Sequence, residues 1–215
     1  MPELKTLKPD AGKSYRWNCF YYHSMYHSLR HYGPGRGGLR KPQKQKQKQK
    51  QKQVDMEVDT GTGAAGGAES KMAWLDFGVY QGFSVNMTSV MLRDEPRVEV
   101  HGFDSWLGLP EDWAQHVRMK KGRFSTQGVL PPVRAGVMLH KGFFNETLPL
   151  WLEAHPDMPI YGISIDCDLY NGSMDVLTRL GRRLQVGSII HFHELRHKLE
   201  DGQVMDEARA LYDWL

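Results

Sequence analysis

Residues Trp74 to Ser84 read Trp-Leu-Asp-Phe-Gly-Val-Tyr-Gln-Gly-Phe-Ser, and the prediction of the fold starts from them. A short apolar run that ends at an acidic residue and leads into two spaced glycines is typical of a parallel strand turning into a nucleotide-binding helix. Gly78 can take a positive φ where the strand ends, and Gly82 leaves the first N–H groups of the helix open to a ligand. An ordinary strand-to-helix turn has the same glycines, so this stretch alone leaves both interpretations open.

From Met72 onward, apolar runs alternate with amphipathic segments. The five predicted strands are Ala73–Val79, Val98–Phe103, Gly136–Leu139, Ile160–Ile165 and Gly187–Phe192. The predicted helices are Ser84–Arg93, one starting near Glu111, Glu146–Ala154, Ser173–Leu184 and Met205–Trp214. Strands that alternate with helices predict right-handed crossovers, and therefore an α/β fold with a doubly wound, mainly parallel sheet.

The composition divides the chain into three parts. Residues 1–32 are rich in aromatic residues and histidines, and His23, His27 and His31 recur at helical spacing. A lid helix is favoured there over a metal site, because nothing nearby supplies a further ligand. Residues 33–70 combine glycines with a Lys-Gln tract that is too polar to bury, which predicts a disordered linker. Residues 71–215 form the predicted globular domain.

Charge and cysteine content limit the function classes. The formal net charge of the chain is +3. The Lys-Gln tract alone contributes five positive charges, so the rest of the chain has a net negative charge. This balance gives no reason to expect a specific nucleic-acid partner. The two cysteines are far apart, and no signal peptide or membrane span is apparent. We therefore predict reduced thiols and a cytoplasmic protein with no membrane partner, and we leave a homo-oligomer open.

Acidic residues follow most of the predicted strands, at the sheet edge where α/β folds bind ligands. They are Asp76, Asp104, Asp166 with Asp168, and the pair His193-Glu194. An acid at the end of the second strand is placed to bind the two hydroxyls of a ribose, although it would serve equally as a turn cap. Together Asp166, His193 and Glu194 offer an open divalent-metal site, with a surface ion-pair cluster as the alternative.

Four ordered segments carry a resemblance to a known family. They are Asp-Phe-Gly-Val-Tyr-Gln-Gly-Phe-Ser at 76–84, Gly-Phe-Asp-Ser-Trp-Leu-Gly-Leu-Pro at 102–110, Lys-Gly-Phe-Phe-Asn-Glu-Thr-Leu-Pro at 141–149 and Ile-Asp-Cys-Asp-Leu-Tyr at 165–170. From about Met72 onward the chain resembles the macrocin and novobiocin-type O-methyltransferases, Rossmann-like class I enzymes that use S-adenosylmethionine. The antiparallel strands that usually close this fold have no counterpart before Leu215, so we expect a sheet truncated there.

The resemblance implies a set of cofactor-binding residues. They are Asp76, Gly78, Tyr80, Gly82, Ser84, Asp104, Ser105, Gly142 and Phe143. By the resemblance Asp76, Gly78 and Gly82 line the methionine end of the cofactor. Asp104 holds the ribose, and Ser105, Gly142 and Phe143 border the adenine.

The same resemblance implies a magnesium or manganese ion on Asp166, His193 and Glu194. The family has two consecutive aspartates where this chain has His-Glu, which leaves the identity of the metal open. The function expected is metal-assisted methyl transfer to a hydroxyl of a small molecule, a sugar or a phenol, with Asp166 or His193 accepting the proton. An inactive methyltransferase-like binding module and a metal-dependent glycosyltransferase are the alternatives.

Overall fold

The computed structural model describes residues 70–114, 118–195 and 205–215. The predicted N-terminal segment 1–32 lies outside these residues, as does the predicted linker except for its last residue. The described strands are β1 (Met72–Phe77), β2 (Val98–Asp104), β3 (Val137–Lys141), β4 (Ile160–Ile165) and β5 (Ile189–Phe192). The described α-helices are α1 (Phe83–Met91), α2 (Phe144–Ala154), α3 (Tyr170–Leu180) and α4 (Asp206–Trp214), and a 3-10 turn at Gly181–Arg183 extends α3.

The five described strands form one parallel sheet in the order β3-β2-β1-β4-β5. Phe77 at the end of β1 is in register with Phe103 of β2 and with Ile165 of β4. Ile165 is in turn in register with Phe192 of β5. The carboxyl ends of four strands therefore lie level at one edge of the sheet, and the predicted parallel α/β sheet is confirmed.

Helices cover both faces of the sheet, because side chains alternate along each strand. One face of β1, with Ala73, Leu75 and Phe77, packs into a core formed with α2, α3 and α4. The other face, with Trp74, packs against α1. Within the described ranges no helix is long and apolar enough to cross a lipid bilayer.

A stack of rings fixes the strand ends immediately before the site. The rings of Phe77 and Phe103 stack with centroids 4.9 Å apart, and Phe103 stacks on His140 of β3 at 4.5 Å. Fully buried His101 accepts a hydrogen bond from Trp151 Nε1 at 3.2 Å. Burial lowers the pKa of His101 to about 4, so it is neutral at pH 7 and adds no charge beneath the site.

The helix predicted from near Glu111 is wrong in the residues described around it, which form turns and loop. The chain reverses there instead. The N–H of Leu109 donates to the carbonyl of Arg123, and the N–H of Gly122 donates back to the carbonyl of Leu109, each at 2.9 Å. Gly108 and Gly122, with φ near +80°, permit this reversal. The described residues between β2 and β3 therefore form a folded loop.

Candidate active site

A cavity of about 640 Å³ opens at the carboxyl ends of the strands. Seven residues that the sequence predicts for the site line this cavity: Gly78, Tyr80, Asp104, Ser105, Phe143, Asp166 and Glu194. Five others lie outside its wall: Asp76, Gly82, Ser84, Gly142 and His193. The cavity therefore joins the predicted cofactor side of the sheet edge to the predicted catalytic side.

The turn after β1 depends on two glycines with left-handed φ. At Gly78 φ is +90°, and a Cβ atom there would lie 1.9 Å from the carbonyl oxygen of Asp166. Gly82, with φ +85°, is the N-cap residue of α1, and a Cβ atom there would lie 3.1 Å from Pro131. Since the ends of β1 and β4 approach so closely, only glycine fits at position 78 without displacing the backbone of Asp166.

Asp76 lies beneath this turn. Its side chain is fully buried, and Ser84 Oγ donates a hydrogen bond to its Oδ1 at 3.1 Å. Burial raises the pKa of Asp76 to about 8, against the opposing hydrogen bond from Ser84. Among the described residues its Oδ2 has no hydrogen-bond partner.

Asp104 connects the chain segments that follow β1 and β2. The N–H of Tyr80 donates to Oδ2 at 2.8 Å, and the N–H of Trp106 donates to Oδ1 at 2.7 Å. We call this arrangement the Asp104 bridge. It holds Tyr80 and Trp106 at φ 48° and 55°, backbone conformations that cost non-glycine residues about 1–3 kcal/mol each. Each oxygen of an ionised carboxylate has a second lone pair, so Asp104 retains capacity to accept hydroxyl donors from the cavity.

The predicted adenine border lies next to the Asp104 bridge. The N–H of Gly142 donates to the backbone carbonyl of Asp104 at 3.0 Å, which fixes the start of the turn into α2. Phe143, the next residue, lines the cavity. On the β2 side, Ser105 is buried, and its Oγ accepts the N–H of Leu107 at 3.1 Å. Both segments are therefore fixed by local hydrogen bonds beside the cavity.

The ends of β4 and β5 bring Asp166 and His193 together. Nδ1 of His193 is 3.5 Å from Oδ2 of Asp166, and its Nε2 is 3.3 Å from Oγ of Ser164. The Asp166 side chain is 37% exposed and that of His193 only 16%, so the carboxylate faces the cavity and the imidazole lies behind it. Burial lowers the pKa of His193 to about 4, which leaves the ring neutral at pH 7.

The cavity is acidic. No Lys or Arg of the described ranges lines it, whereas seven carboxyl side chains do: Asp104, Glu111, Glu146, Asp166, Asp168, Asp175 and Glu194. Burial, with a further contribution from Glu194, raises the pKa of Asp166 to about 7 and that of Asp168 to about 8. A cation bound in the cavity would relieve the repulsion between these groups.

The three predicted metal ligands lie close together at the ends of β4 and β5. Asp166 and Glu194 line one cavity and His193 contacts Asp166. Nevertheless, within residues 70–114, 118–195 and 205–215, no three His, Cys, Asp or Glu side chains form a group that could hold a metal ion. The metal assignment of these three residues therefore stays a prediction from the resemblance.

Sequence reasoning missed two parts of the site. The loop after β2 contributes Leu109 and Phe124 to the cavity, and a helix was expected in it from near Glu111. Glu207 of α4, fully buried, accepts the N–H of Cys167 at 2.8 Å and the N–H of Glu194 at 3.0 Å. The partners of Glu207 are backbone groups, 40 and 13 residues earlier in the chain, so no local pattern of side chains could have indicated them.

Comparison with known proteins identifies the domain. A family described as "Methyltransferase domain" matches residues 75–195, more than half of the chain. The matched residues extend from β1 to the residue after Glu194, so they contain the whole cavity edge of the sheet. No curated protein matches the chain.

The chain is similar to solved structures of methyltransferases. The crystal structure of CalS11, calicheamicin methyltransferase, matches with a TM-score of 0.56 and 23% identity, over 66% of this chain and 63% of that one. The structure of the O-methyltransferase NovP matches with a TM-score of 0.47 and 23% identity, over 67% of this chain and 65% of that one. The present chain thus spans less than two thirds of the length of either protein. The first likeness supports the predicted Rossmann-like fold class.

Proposed function

Because the chain belongs to the methyltransferase-domain family, we propose that it transfers a methyl group from S-adenosylmethionine to a hydroxyl of a small molecule. One observation carries this proposal: a single cavity connects the Asp104 bridge, at the end of β2, with Asp166, at the end of β4. Donor and acceptor molecules would therefore meet in one space at the sheet edge. CalS11, which has the same fold, is a calicheamicin methyltransferase.

The described residues suit the proposed cofactor. Gly78 leaves room at the turn, since a side chain there would collide with Asp166. Asp104 retains lone pairs for the ribose hydroxyls, Phe143 offers a ring face for the adenine, and buried Asp76 has one acceptor oxygen without a partner. When bound, S-adenosylmethionine supplies a sulfonium-activated methyl group, and its positive charge suits the acidic cavity. We assign Tyr80, Gly82, Ser84, Ser105 and Gly142 to the support of these contacts.

Asp166 is the proposed proton acceptor. Its carboxylate faces the cavity, and its pKa of about 7 suits a general base near neutral pH. It takes the proton of the acceptor hydroxyl as the oxygen forms its bond to the methyl carbon and the carbon–sulfur bond breaks. His193 lies behind Asp166 and would orient it, with Nδ1 at 3.5 Å from Oδ2 and Nε2 within hydrogen-bond distance of the Ser164 hydroxyl. No step is assigned to a metal ion.

The acceptor that suits this cavity bears hydroxyl groups and no phosphate. Two negative charges about 5 Å apart repel by roughly 3 kcal/mol at an effective dielectric constant near 20, and no described Lys or Arg lines the wall to offset that repulsion. Leu109, Phe124 and Tyr80 add apolar surface beside the acids. A neutral sugar or a phenol therefore satisfies the lining better than a nucleotide-linked sugar.

The cofactor proposal is tested by calorimetric titration with S-adenosylhomocysteine. We expect micromolar binding by the wild-type chain and a 10- to 100-fold weaker affinity for Asp104→Asn, since hydrogen bonds to a charged group contribute about 1.5–3 kcal/mol. Asp112→Asn is the matched control, because Asp112 also accepts a backbone N–H and a second donor but lies outside the cavity. Equal affinities of the two variants would contradict the role of Asp104. Binding without methyl transfer to any acceptor would favour the inactive module.

The acceptor proposal is tested with matched pairs of probes. Glucose is compared with glucose 6-phosphate, and catechol with 3,4-dihydroxybenzoate, in titrations of the complex with S-adenosylhomocysteine. We expect the neutral member of each pair to bind at least 10-fold more tightly, because each added anion meets the carboxylates of the wall. Tighter binding of the anionic members would refute this substrate class. Repeating the series with magnesium, manganese and EDTA tests the predicted metal.

A further inference from the structure

The segments that follow β4 and β5 carry the proposed catalytic residues, and one buried carboxylate connects them. Glu207 lies in the first turn of α4 and its side chain is fully buried. Its Oε1 accepts the N–H of Cys167, next to Asp166, at 2.8 Å. Its Oε2 accepts the N–H of Glu194, next to His193, at 3.0 Å. We call this arrangement the Glu207 bridge.

The Glu207 bridge repeats the geometry of the Asp104 bridge on the other half of the sheet edge. In each, the two oxygens of one carboxylate accept two backbone N–H groups, which come from segments following adjacent strands of the sheet. Asp104 joins the segments after β1 and β2, on the cofactor side. Glu207 joins those after β4 and β5, on the acceptor side. Unlike Asp104, Glu207 is not part of the cavity wall.

From this geometry we propose that Glu207 is a positioning residue for the methyl-transfer reaction, which sets the spacing between Asp166 and His193; the inference rests on the proposed function. Burial raises the pKa of the Glu207 carboxyl group, and the two backbone N–H groups lower it; each of its two oxygens can accept one N–H. A glutamine in its place would accept one N–H and point its own NH2 group at the other. Cys167 is buried, and leaving a buried backbone N–H without its acceptor costs about 1–3 kcal/mol. Removing the bridge should therefore separate the two segments.

A structural role in holding α4 would also require Glu207, so the test must separate the two roles. Asp213→Asn provides the control, because Asp213 is on the same helix, accepts the Tyr170 hydroxyl at 3.0 Å and pairs with Arg209. It lies outside the cavity wall. A merely structural defect would affect the Asp213 and Glu207 variants alike, whereas a positioning defect would affect only the segments after β4 and β5.

We would compare the wild-type chain, Glu207→Gln and Asp213→Asn by amide NMR and by titration with S-adenosylhomocysteine. In Glu207→Gln we expect the Cys167 and Glu194 amides to shift and to exchange at least 10-fold faster, while those of Tyr80 and Trp106 stay unchanged. The affinity for S-adenosylhomocysteine should stay within about threefold, and kcat for methyl transfer to catechol should fall at least 10-fold with KM for the cofactor unchanged. In Asp213→Asn all of these should be unchanged.

Three results would overturn the proposal: unmoved Cys167 and Glu194 amides in Glu207→Gln, simultaneous changes at Tyr80 and Trp106, or the same changes in Asp213→Asn. Failure of the proposed function looks different, since the wild-type chain itself would then not bind S-adenosylhomocysteine. Glu207→Asp keeps the carboxyl group but shortens the side chain by one methylene group. It provides a second, milder variant that should release one of the two N–H groups and lower kcat less than glutamine does.

Discussion

Asp166→Asn is expected to transfer methyl groups at about 10²- to 10⁴-fold below the wild-type rate, which is the usual contribution of a general base. The amide keeps the size of the side chain and the backbone N–H that donates to the carbonyl of Phe77 at 2.9 Å, so the strand end should stay in place. The affinity for S-adenosylhomocysteine should remain within about threefold. The loss would then lie in the chemical step, measured as the single-turnover rate of S-adenosylhomocysteine formation with catechol or glucose as acceptor.

The control for this prediction is Asp157→Asn. Asp157 is an exposed acid at the opposite end of β4, outside the cavity, and its variant should react at the wild-type rate. A wild-type rate in Asp166→Asn would exclude Asp166 as the base and leave His193 as the remaining acid–base group of the predicted pair.

The rate should also depend on pH in a defined direction. The pKa of Asp166 is raised from its ordinary value of 3.8 to about 7 by burial, so its carboxylate fraction falls as the pH drops below about 7. The rate should fall with it. The contribution of Asp166 to folding stability changes with pH in the opposite direction to the rate. Between pH 3.8 and about 7 the folded chain binds more protons at this group than the unfolded chain does, so stability decreases as the pH rises through that window. The rate profile of Asp166→Asn should lack this step.

Gly78→Ala should be the most damaging change in the cofactor turn. The positive φ alone costs a non-glycine residue about 1–2 kcal/mol. In addition, the new Cβ atom would lie 1.9 Å from the carbonyl oxygen of Asp166, so the ends of β1 and β4 must move apart. We expect the melting temperature to fall by roughly 10 °C, and S-adenosylhomocysteine to bind at least 100-fold more weakly to any folded fraction.

Gly136→Ala separates backbone strain from collision in this experiment. Gly136 has φ +89°, nearly the value of Gly78, but no atom lies within 4 Å of the Cβ that alanine would introduce. This variant should be destabilised only by the backbone strain, roughly 1–2 kcal/mol, which lowers the melting temperature by a few degrees. Its affinity for S-adenosylhomocysteine should equal that of the wild-type chain. Equal effects of the two substitutions would mean that the contact between Gly78 and Asp166 is unimportant.

The sheet and its cavity edge could be predicted because their signals are local. Strand β4 was predicted with the bounds that the structure has, Ile160–Ile165, since a mainly apolar run between Pro159 and Asp166 is typical of a strand buried on both faces. Less regular ends were misjudged: β3 runs to Lys141 and not to Leu139, because pairing with β2 continues to Asp104. Helix α3 starts at Tyr170 and not at Ser173, and it changes to a 3-10 turn after Leu180.

The rest of the site depends on contacts that the sequence does not display. The loop after β2 contains polar and apolar residues at a spacing compatible with a helix, but backbone hydrogen bonds between Leu109 and the region of Arg123 reverse the chain. The position of His193 behind Asp166 follows from the register of β4 with β5. A shift of one residue in the register of two paired strands moves every side chain of one strand to the opposite face of the sheet. A sequence motif alone therefore cannot say which of two adjacent side chains faces a cavity.

The two carboxylate bridges also bear on how the specificity of such a domain could change under selection. Asp104 fixes the segments after β1 and β2, on the proposed cofactor side. Glu207 fixes the segments after β4 and β5, on the proposed acceptor side, by a separate set of hydrogen bonds. Asp104 fixes the start of the loop after β2 through Trp106, but Leu109 and Phe124, which that loop contributes to the wall, donate no hydrogen bond to either carboxylate in the described ranges. In a mutant library, substitutions in that loop should therefore alter the acceptor range while cofactor use is preserved. The two bridges would tolerate almost no variation, so a search for new acceptors would best diversify the loop alone.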